Sequence, residues 1–234
     1  MVGVAVSAPE AVPLPFADRS AAGRILGARL LRLFADPAVG LSRARAVVLA
    51  LPRGGVPVGR EVSAALRVPL DVLVTRKIGY PLQPELGVGA IAEGGEPVFD
   101  AEMLAHLGLT APMLDPVVAS ERAELDRRIA AYRGGRPAPA LRGREVIVVD
   151  DGLATGGTAR AALRAVRAAG ADRTILAVPV AAPSSATAML AEADLVVVLA
   201  APAAFRAVGE WYQSFGQLTD ADVVMLLGTA ADPA

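Results

Sequence analysis

The chain contains no cysteine and only one histidine, His106, in 234 residues. Disulfide staples, thiolate nucleophiles and thiolate metal sites are therefore excluded, and one imidazole cannot build a histidine-based zinc site. Aromatic residues make up only 4% of the chain against 54% hydrophobic residues overall, so the interior has to be assembled mainly from Ala, Val and Leu. Neither sign of charge dominates, with 23 Lys and Arg against 24 Asp and Glu. A formal net charge of −1 provides no global field for nucleic acid or an acidic membrane, so no nucleic-acid partner is expected and phosphate recognition must be local.

A mean hydropathy of +0.48 raises the question of a membrane segment. The longest uncharged run covers residues 174–191, but Pro179, Pro183, Ser184 and Ser185 divide it into a strand, a turn and a helix start, so it should not cross a bilayer. No Lys or Arg precedes Arg19, and the opening residues lack the basic flank of a signal peptide; the expected location is the cytoplasm.

Residues 1–15 carry four Pro or Gly and no apolar periodicity, which reads as a mobile arm before a domain over residues 16–230. Ile25, Leu26, Leu30, Leu31 and Phe34 recur at helical spacing, with Asp18 or Ser20 available as a cap. Apolar runs at 46–51, 70–74, 145–149, 174–180 and 194–200 read as strands, and they are continuously apolar where a half-exposed sheet would alternate. Helical stretches at 56–66, 157–169 and 184–191 separate several of them. This is the pattern of an α/β fold with a doubly wound parallel sheet covered on both faces. A small inserted lobe at about 78–140 holds a Gly/Pro-rich loop, short strands around 88–92 and helices over 100–132.

The segment richest in chemistry is EVIVVDDGLATGGT, residues 145–158. A buried strand runs into two adjacent carboxylates, Asp150 and Asp151, then a Gly/Thr turn, then a helix. Ligands of open parallel sheets bind at the carboxyl ends of the strands, where a glycine turn presents backbone N–H groups and a helix N-terminus to an anion. Ala154, Thr155, Gly156, Gly157 and Thr158 are placed to hold a phosphate, the two threonines adding hydroxyl donors. The aspartates would repel that phosphate and need another part of the ligand. Carboxylates accept hydrogen bonds from paired sugar hydroxyls and favour developing positive charge nearby, so a sugar 5-phosphate with a cationic transition state satisfies both features. The turn lacks the GxGxxG of a dinucleotide site and, with Gly157 before its last threonine, the lysine of a Walker loop.

DDGLATGGT resembles the phosphoribosyl-pyrophosphate signature of the type I phosphoribosyltransferases. LPRGGVPVG, residues 51–59, is similar to that family's pyrophosphate loop; TRKIGYPLQPELGVGAI, residues 75–91, sits where the family has its mobile catalytic loop; and FRAVGEWY, residues 205–212, completes a likeness from about residue 16 to 227. The resemblance implies that Asp150 and Asp151 bind the ribose 2- and 3-hydroxyls. It implies that the Thr155 turn holds the 5-phosphate, that Pro52, Arg53, Gly54 and Gly55 hold pyrophosphate around a cis Pro52–Arg53 peptide, and that Arg76 and Lys77 stabilise the departing pyrophosphate.

The implied cofactor is Mg²⁺, held through ligand and water rather than by a direct protein cage. The implied partners are phosphoribosyl pyrophosphate and a base or amine of nucleotide metabolism, and a homodimer through the flanking lobe is compatible with the family. Trp211 and Tyr212 stand where family members close a hood over the base, as stacking residues or as packing of the hood against the sheet. Ala154 replaces the acid that 6-oxopurine enzymes carry before the Thr-Gly turn, which argues against hypoxanthine and guanine as acceptors. The expected activity is displacement of pyrophosphate by a nitrogen nucleophile. The rival readings are a non-catalytic regulatory protein binding the same ligand and a hydrolase of phosphoribosyl compounds.

Overall fold

Five strands whose residues are almost all buried lie parallel in one sheet, and the elements that cover them follow from which side chains each strand sends to which face. The computed structural model describes residues 12–228; residues 1–11 of the expected arm and residues 229–234 lie outside the described residues. In chain order the elements are α1 (Arg19–Ala35), β1 (Ala46–Ala50), α2 (Gly55–Leu66), β2 (Leu70–Val72), β3 (Thr75–Tyr80), β4 (Gln83–Ala92), β5 (Val98–Phe99), α3 (Ala101–Leu107) and α4 (Asp115–Arg133). There follow β6 (Glu145–Val149), α5 (Gly157–Ala168), β7 (Arg173–Val180), α6 (Pro183–Met189), β8 (Leu195–Ala200) and α7 (Asp220–Gly228).

The main sheet has the order β2-β1-β6-β7-β8, and every pairing in it is parallel. Alternation along the strands splits the core in two. Val48, Ile147 and Val149 pack with Leu26, Leu30, Val58 and Val62 of α1 and α2, whereas Val47, Leu49, Val146 and Val148 pack with Ala159, Leu163 and Val166 of α5. A strand apolar on both faces can only sit between two helical layers, which accounts for the unbroken runs in the sequence. Asp18 caps α1 by accepting from the Ala21 amide at 2.7 Å, and Val12 is partly buried against the same core.

One expectation needs correction. The Gly/Pro-rich loop expected after the second strand is instead β3 and the first half of β4 in an antiparallel sheet of order β3-β4-β5, whose β4 contains the short strand expected around 88–92, and Arg76 and Lys77 lie within β3. Its glycines hid it, because they interrupt the apolar alternation that marks a strand. They are there for close approach: a Cβ on Gly79 would strike the Pro84 backbone and one on Gly87 the Lys77 side chain, beside register shifts at Ile78/Gly79 and Gly79/Tyr80. The three-stranded sheet, α4 and α7 share a third core cluster that includes Ile78, Ile91, Leu125, Tyr132 and Val223.

Candidate active site

Between β1 and β6 the chain order of the sheet reverses, so the connections leaving these neighbours diverge and open a crevice at their carboxyl ends. The loop after β1 leads into α2 and the loop after β6 leads into α5, so two helix N-termini flank the crevice. The loops are in contact. The Leu51 amide donates to the Val149 carbonyl at 2.8 Å, and the Pro52–Arg53 peptide is cis. A Cβ on Gly54 would run into the Asp151 carboxylate, and one on Gly55 would come within 2.6 Å of the Val149 carbonyl oxygen. Only glycine allows the two loops to lie this close.

Asp150 and Asp151 stand side by side at the tip of β6. Asp150 Oδ1 accepts from the Asp151 amide at 2.8 Å, and burial, with the neighbouring Asp151 charge second, holds the Asp150 carboxyl well above the usual carboxylate range. Burial also raises Asp151, opposed by Arg19, whose Nε donates to Asp151 Oδ2 at 2.7 Å. The same guanidinium donates through Nη1 to the Gly216 carbonyl at 2.9 Å and lies 3.8 Å from the centroid of the Phe215 ring.

Beyond the acids, Leu153 is buried and anchors the turn, its amide donating to Val180 O and its carbonyl accepting from the Ala182 amide, both at 2.9 Å. The Ser185 hydroxyl donates to the Ala154 carbonyl. Gly156, at φ +79°, caps α5 in the left-handed region that favours glycine, and no heavy atom outside the immediate chain lies within 4 Å of a Cβ built on Gly157. The first amides of α5 have no intrahelical acceptor and add the positive end of the helix dipole. A cavity of about 530 Å³ beside this turn is lined by Thr155, Gly157, Thr158, Lys77, Phe99 and Arg160.

The residues expected to handle pyrophosphate are distributed less simply. Lys77 shares the cavity with the Thr155 turn, its ammonium donating to the Glu85 carbonyl. Arg76, one position earlier, is paired through Nε with Glu121 of α4 at 2.6 Å and does not line that cavity. Arg53 is exposed, and its Nη1 lies 3.4 Å from Asp220 at the start of α7. Asp220 also accepts from the Tyr132 hydroxyl at 2.6 Å, and burial with this contact pushes the tyrosine up to about 12.

Trp211 packs against the α1 side of the core. Tyr212 is buried, with ring centroids of Phe16 and Phe215 at 5.6 and 5.1 Å, and its hydroxyl donates to the Asp151 carbonyl at 2.5 Å. The more open aromatic surface of the hood belongs to Phe215, 37% exposed. His106 is exposed in the last turn of α3, away from these loops.

Sequence reasoning did not single out Arg19, Phe215 or Asp220. Arg19 did leave a trace: a cation in the first turn of a helix opposes the macrodipole, at a cost of about 0.3–1 kcal/mol, and such a residue needs another reason to be there. Among the described residues no group of three or more His, Cys, Asp or Glu forms a metal cage, and no helix is long and apolar enough to cross a membrane.

The family model for the phosphoribosyl transferase domain matches residues 28–199. Two Mycobacterium tuberculosis sequences, from strains CDC 1551 and H37Rv, are provisionally named phosphoribosyl transferases; each is 46% identical over 215 residues, 92% of this chain and 47% of theirs. The chain thus spans about half the length of the curated relatives it matches. The crystal structure of TT1426 from Thermus thermophilus is similar at 41% identity and a TM-score of 0.75, covering 93% of this chain and 99% of that one.

Proposed function

The chain belongs to the phosphoribosyl transferase domain family, and from that premise we propose that it transfers the phosphoribosyl group of phosphoribosyl pyrophosphate to a nitrogenous base or amine. One observation carries the reading: a half-buried acid pair and a glycine–threonine turn capping a helix lie in series at the switch point of the sheet, the order in which a pentose diol and its 5-phosphate would be met.

In this reading Asp150 and Asp151 accept hydrogen bonds from the ribose 2- and 3-hydroxyls, and the amides and hydroxyls of 154–158 hold the 5-phosphate. The amides of Arg53 and Gly54, with the Arg53 guanidinium and Lys77, receive pyrophosphate, while the Gly55 amide donates to the Leu51 carbonyl at 3.0 Å and holds the loop. The anomeric carbon–oxygen bond to pyrophosphate breaks as a carbon–nitrogen bond forms, and the acceptor nitrogen loses its proton. Positive charge grows on the anomeric carbon, beside two half-buried carboxylates that water screens less than in bulk. Positioning and electrostatics supply most of the rate in such a loose displacement. Two adjacent carboxylates fit Mg²⁺ held mainly by substrate oxygens and water, where the ion would neutralise pyrophosphate charge.

A second reading has its own support. Arg53, Arg76 and Lys77 each have an acceptor within the protein, Asp220, Glu121 and the Glu85 carbonyl, so none is offered without competition to a leaving group. A regulatory protein that binds the sugar phosphate and does not turn it over would look the same. Titration calorimetry with phosphoribosyl pyrophosphate and Mg²⁺ tests the shared part: the native protein binds, and absence of heat would discard both. Pyrophosphate release across a panel of bases and amines separates them, since binding without release from any acceptor leaves the regulatory reading. Ribose phosphate released without an acceptor would indicate a hydrolase.

A further inference from the structure

Arg19 joins three parts of the chain that are distant in sequence. It opens α1, reaches Asp151 across 132 positions at 2.7 Å, and reaches the Gly216 carbonyl across 197 positions at 2.9 Å. Its guanidinium plane is also covered by the Phe215 ring, and its side chain is 12% exposed. A long cationic side chain fixed this thoroughly loses rotamer freedom, sits at the wrong end of a helix dipole and is largely withdrawn from water. Helix formation gives no reason for it, since Asp18 already caps α1.

The placement of the carboxylate gives one. Asp151 Oδ2 is held between Arg19 and the backbone of Gly54, where no Cβ would fit. Fixing one oxygen orients the carboxyl group. The second nitrogen of the fork holds the hood, and Tyr212 adds a bond from the hood to the Asp151 carbonyl. A planar fork can hold both acceptors at once; an ammonium cannot reproduce that geometry.

We propose that Arg19 is a positioning residue of the sugar site, orienting Asp151 and docking the Tyr212–Gly216 hood segment onto it. The first half rests on the phosphoribosyl reading above; the docking half stands on the contacts alone. The two are separable by experiment. Arg19→Met keeps bulk and removes the charge, and Arg19→Lys restores charge without the fork.

With phosphoribosyl pyrophosphate and Mg²⁺ as the probe, Arg19→Met weakens binding by about tenfold to a hundredfold, the range of a charge-assisted hydrogen bond. Arg19→Lys recovers part of this. In an Asp151→Asn background, followed by NMR at millimolar ligand, Arg19→Met adds little further loss, because it acts through the group already neutralised. Additive losses, or unchanged affinity in both Arg19 variants, would overturn the orienting role. Amide hydrogen exchange of the ligand-free protein reads the other half: residues 212–216 exchange faster in both Arg19 variants than in the native chain. If the native protein fails to bind the probe, the sugar reading falls, and exchange alone decides the docking role; equal protection in native and variant proteins overturns it.

Discussion

Strand β6 carries carboxylates at both ends, and the protein treats them in opposite ways. Glu145, at its start, is fully buried and saturated: Arg45 Nη2 donates to one oxygen at 2.7 Å and the Ser42 amide to the other at 2.8 Å. Asp150 and Asp151, at its end, share among the described residues a single cation, Arg19, and burial raises both. A buried charge with all its partners ties elements together. A half-buried pair short of partners is held in readiness for something that is not part of the chain.

The largest expected difference is in ligand binding. Asp150→Asn combined with Asp151→Asn should weaken phosphoribosyl pyrophosphate binding more than about a hundredfold, because two acceptors of hydroxyl hydrogen bonds are lost together. Glu145→Gln should leave the affinity of the folded protein within about twofold. Calorimetry on the three proteins checks this, and a comparable loss in Glu145→Gln would erase the contrast. Stability should move the other way. Glu145→Ala leaves the Ser42 amide without its buried acceptor, so unfolding free energy should fall by about 1–3 kcal/mol and Tm by roughly 2–10 °C, read by calorimetric melts.

How much of this contrast can be read from residues alone depends on where the partners come from. The parallel sheet was legible because two covered faces force continuous apolar strands, and 145–149 was bounded correctly for that reason. The acid pair and the turn were legible because they are contiguous. Of the hairpin β3-β4 only the part around 88–92 was legible, since Gly79 and Gly87, which allow close approach to Pro84 and Lys77, interrupt the period-2 signal in the rest. Arg19 and Asp220 were not legible as site neighbours because each meets its partner across more than a hundred residues, a proximity that only the folded topology creates. For Trp211 and Tyr212, aromatic identity does not reveal which ring faces will be covered, and Phe16 and Phe215 flank Tyr212.

The pH dependence should show the same asymmetry on a smaller scale. Asp150 has a folded pKa above its unfolded value of about 3.9, so over the interval between the two the folded state binds more protons, and this group's contribution to stability falls as pH rises. Below about pH 4 both states are protonated and the penalty disappears. Asp150→Asn should therefore melt a few degrees above the native protein at pH 7, with the margin shrinking toward about pH 4. A margin that stays constant across that window would mean that Asp150 bears no burial penalty.

The smallest effect concerns the two arginine pairs that mirror the two ends. Arg45 is bound by Glu145 at 2.7 Å and also by Asp172 at 2.6 Å; Arg53 is exposed and only loosely paired with Asp220 at 3.4 Å. If Arg53 serves pyrophosphate, each binding event has to take it from Asp220. An exposed pair of this kind is worth about 0–1 kcal/mol, so Asp220→Asn should change stability by less than about 1 kcal/mol while tightening the binding of inorganic pyrophosphate by about two- to fivefold. Arg53→Met should remove that gain, because Asp220 then has no arginine to release at this loop. Tightening that survives the loss of Arg53 would place the competition elsewhere, with Arg127, whose Nη2 lies 3.5 Å from the same carboxylate.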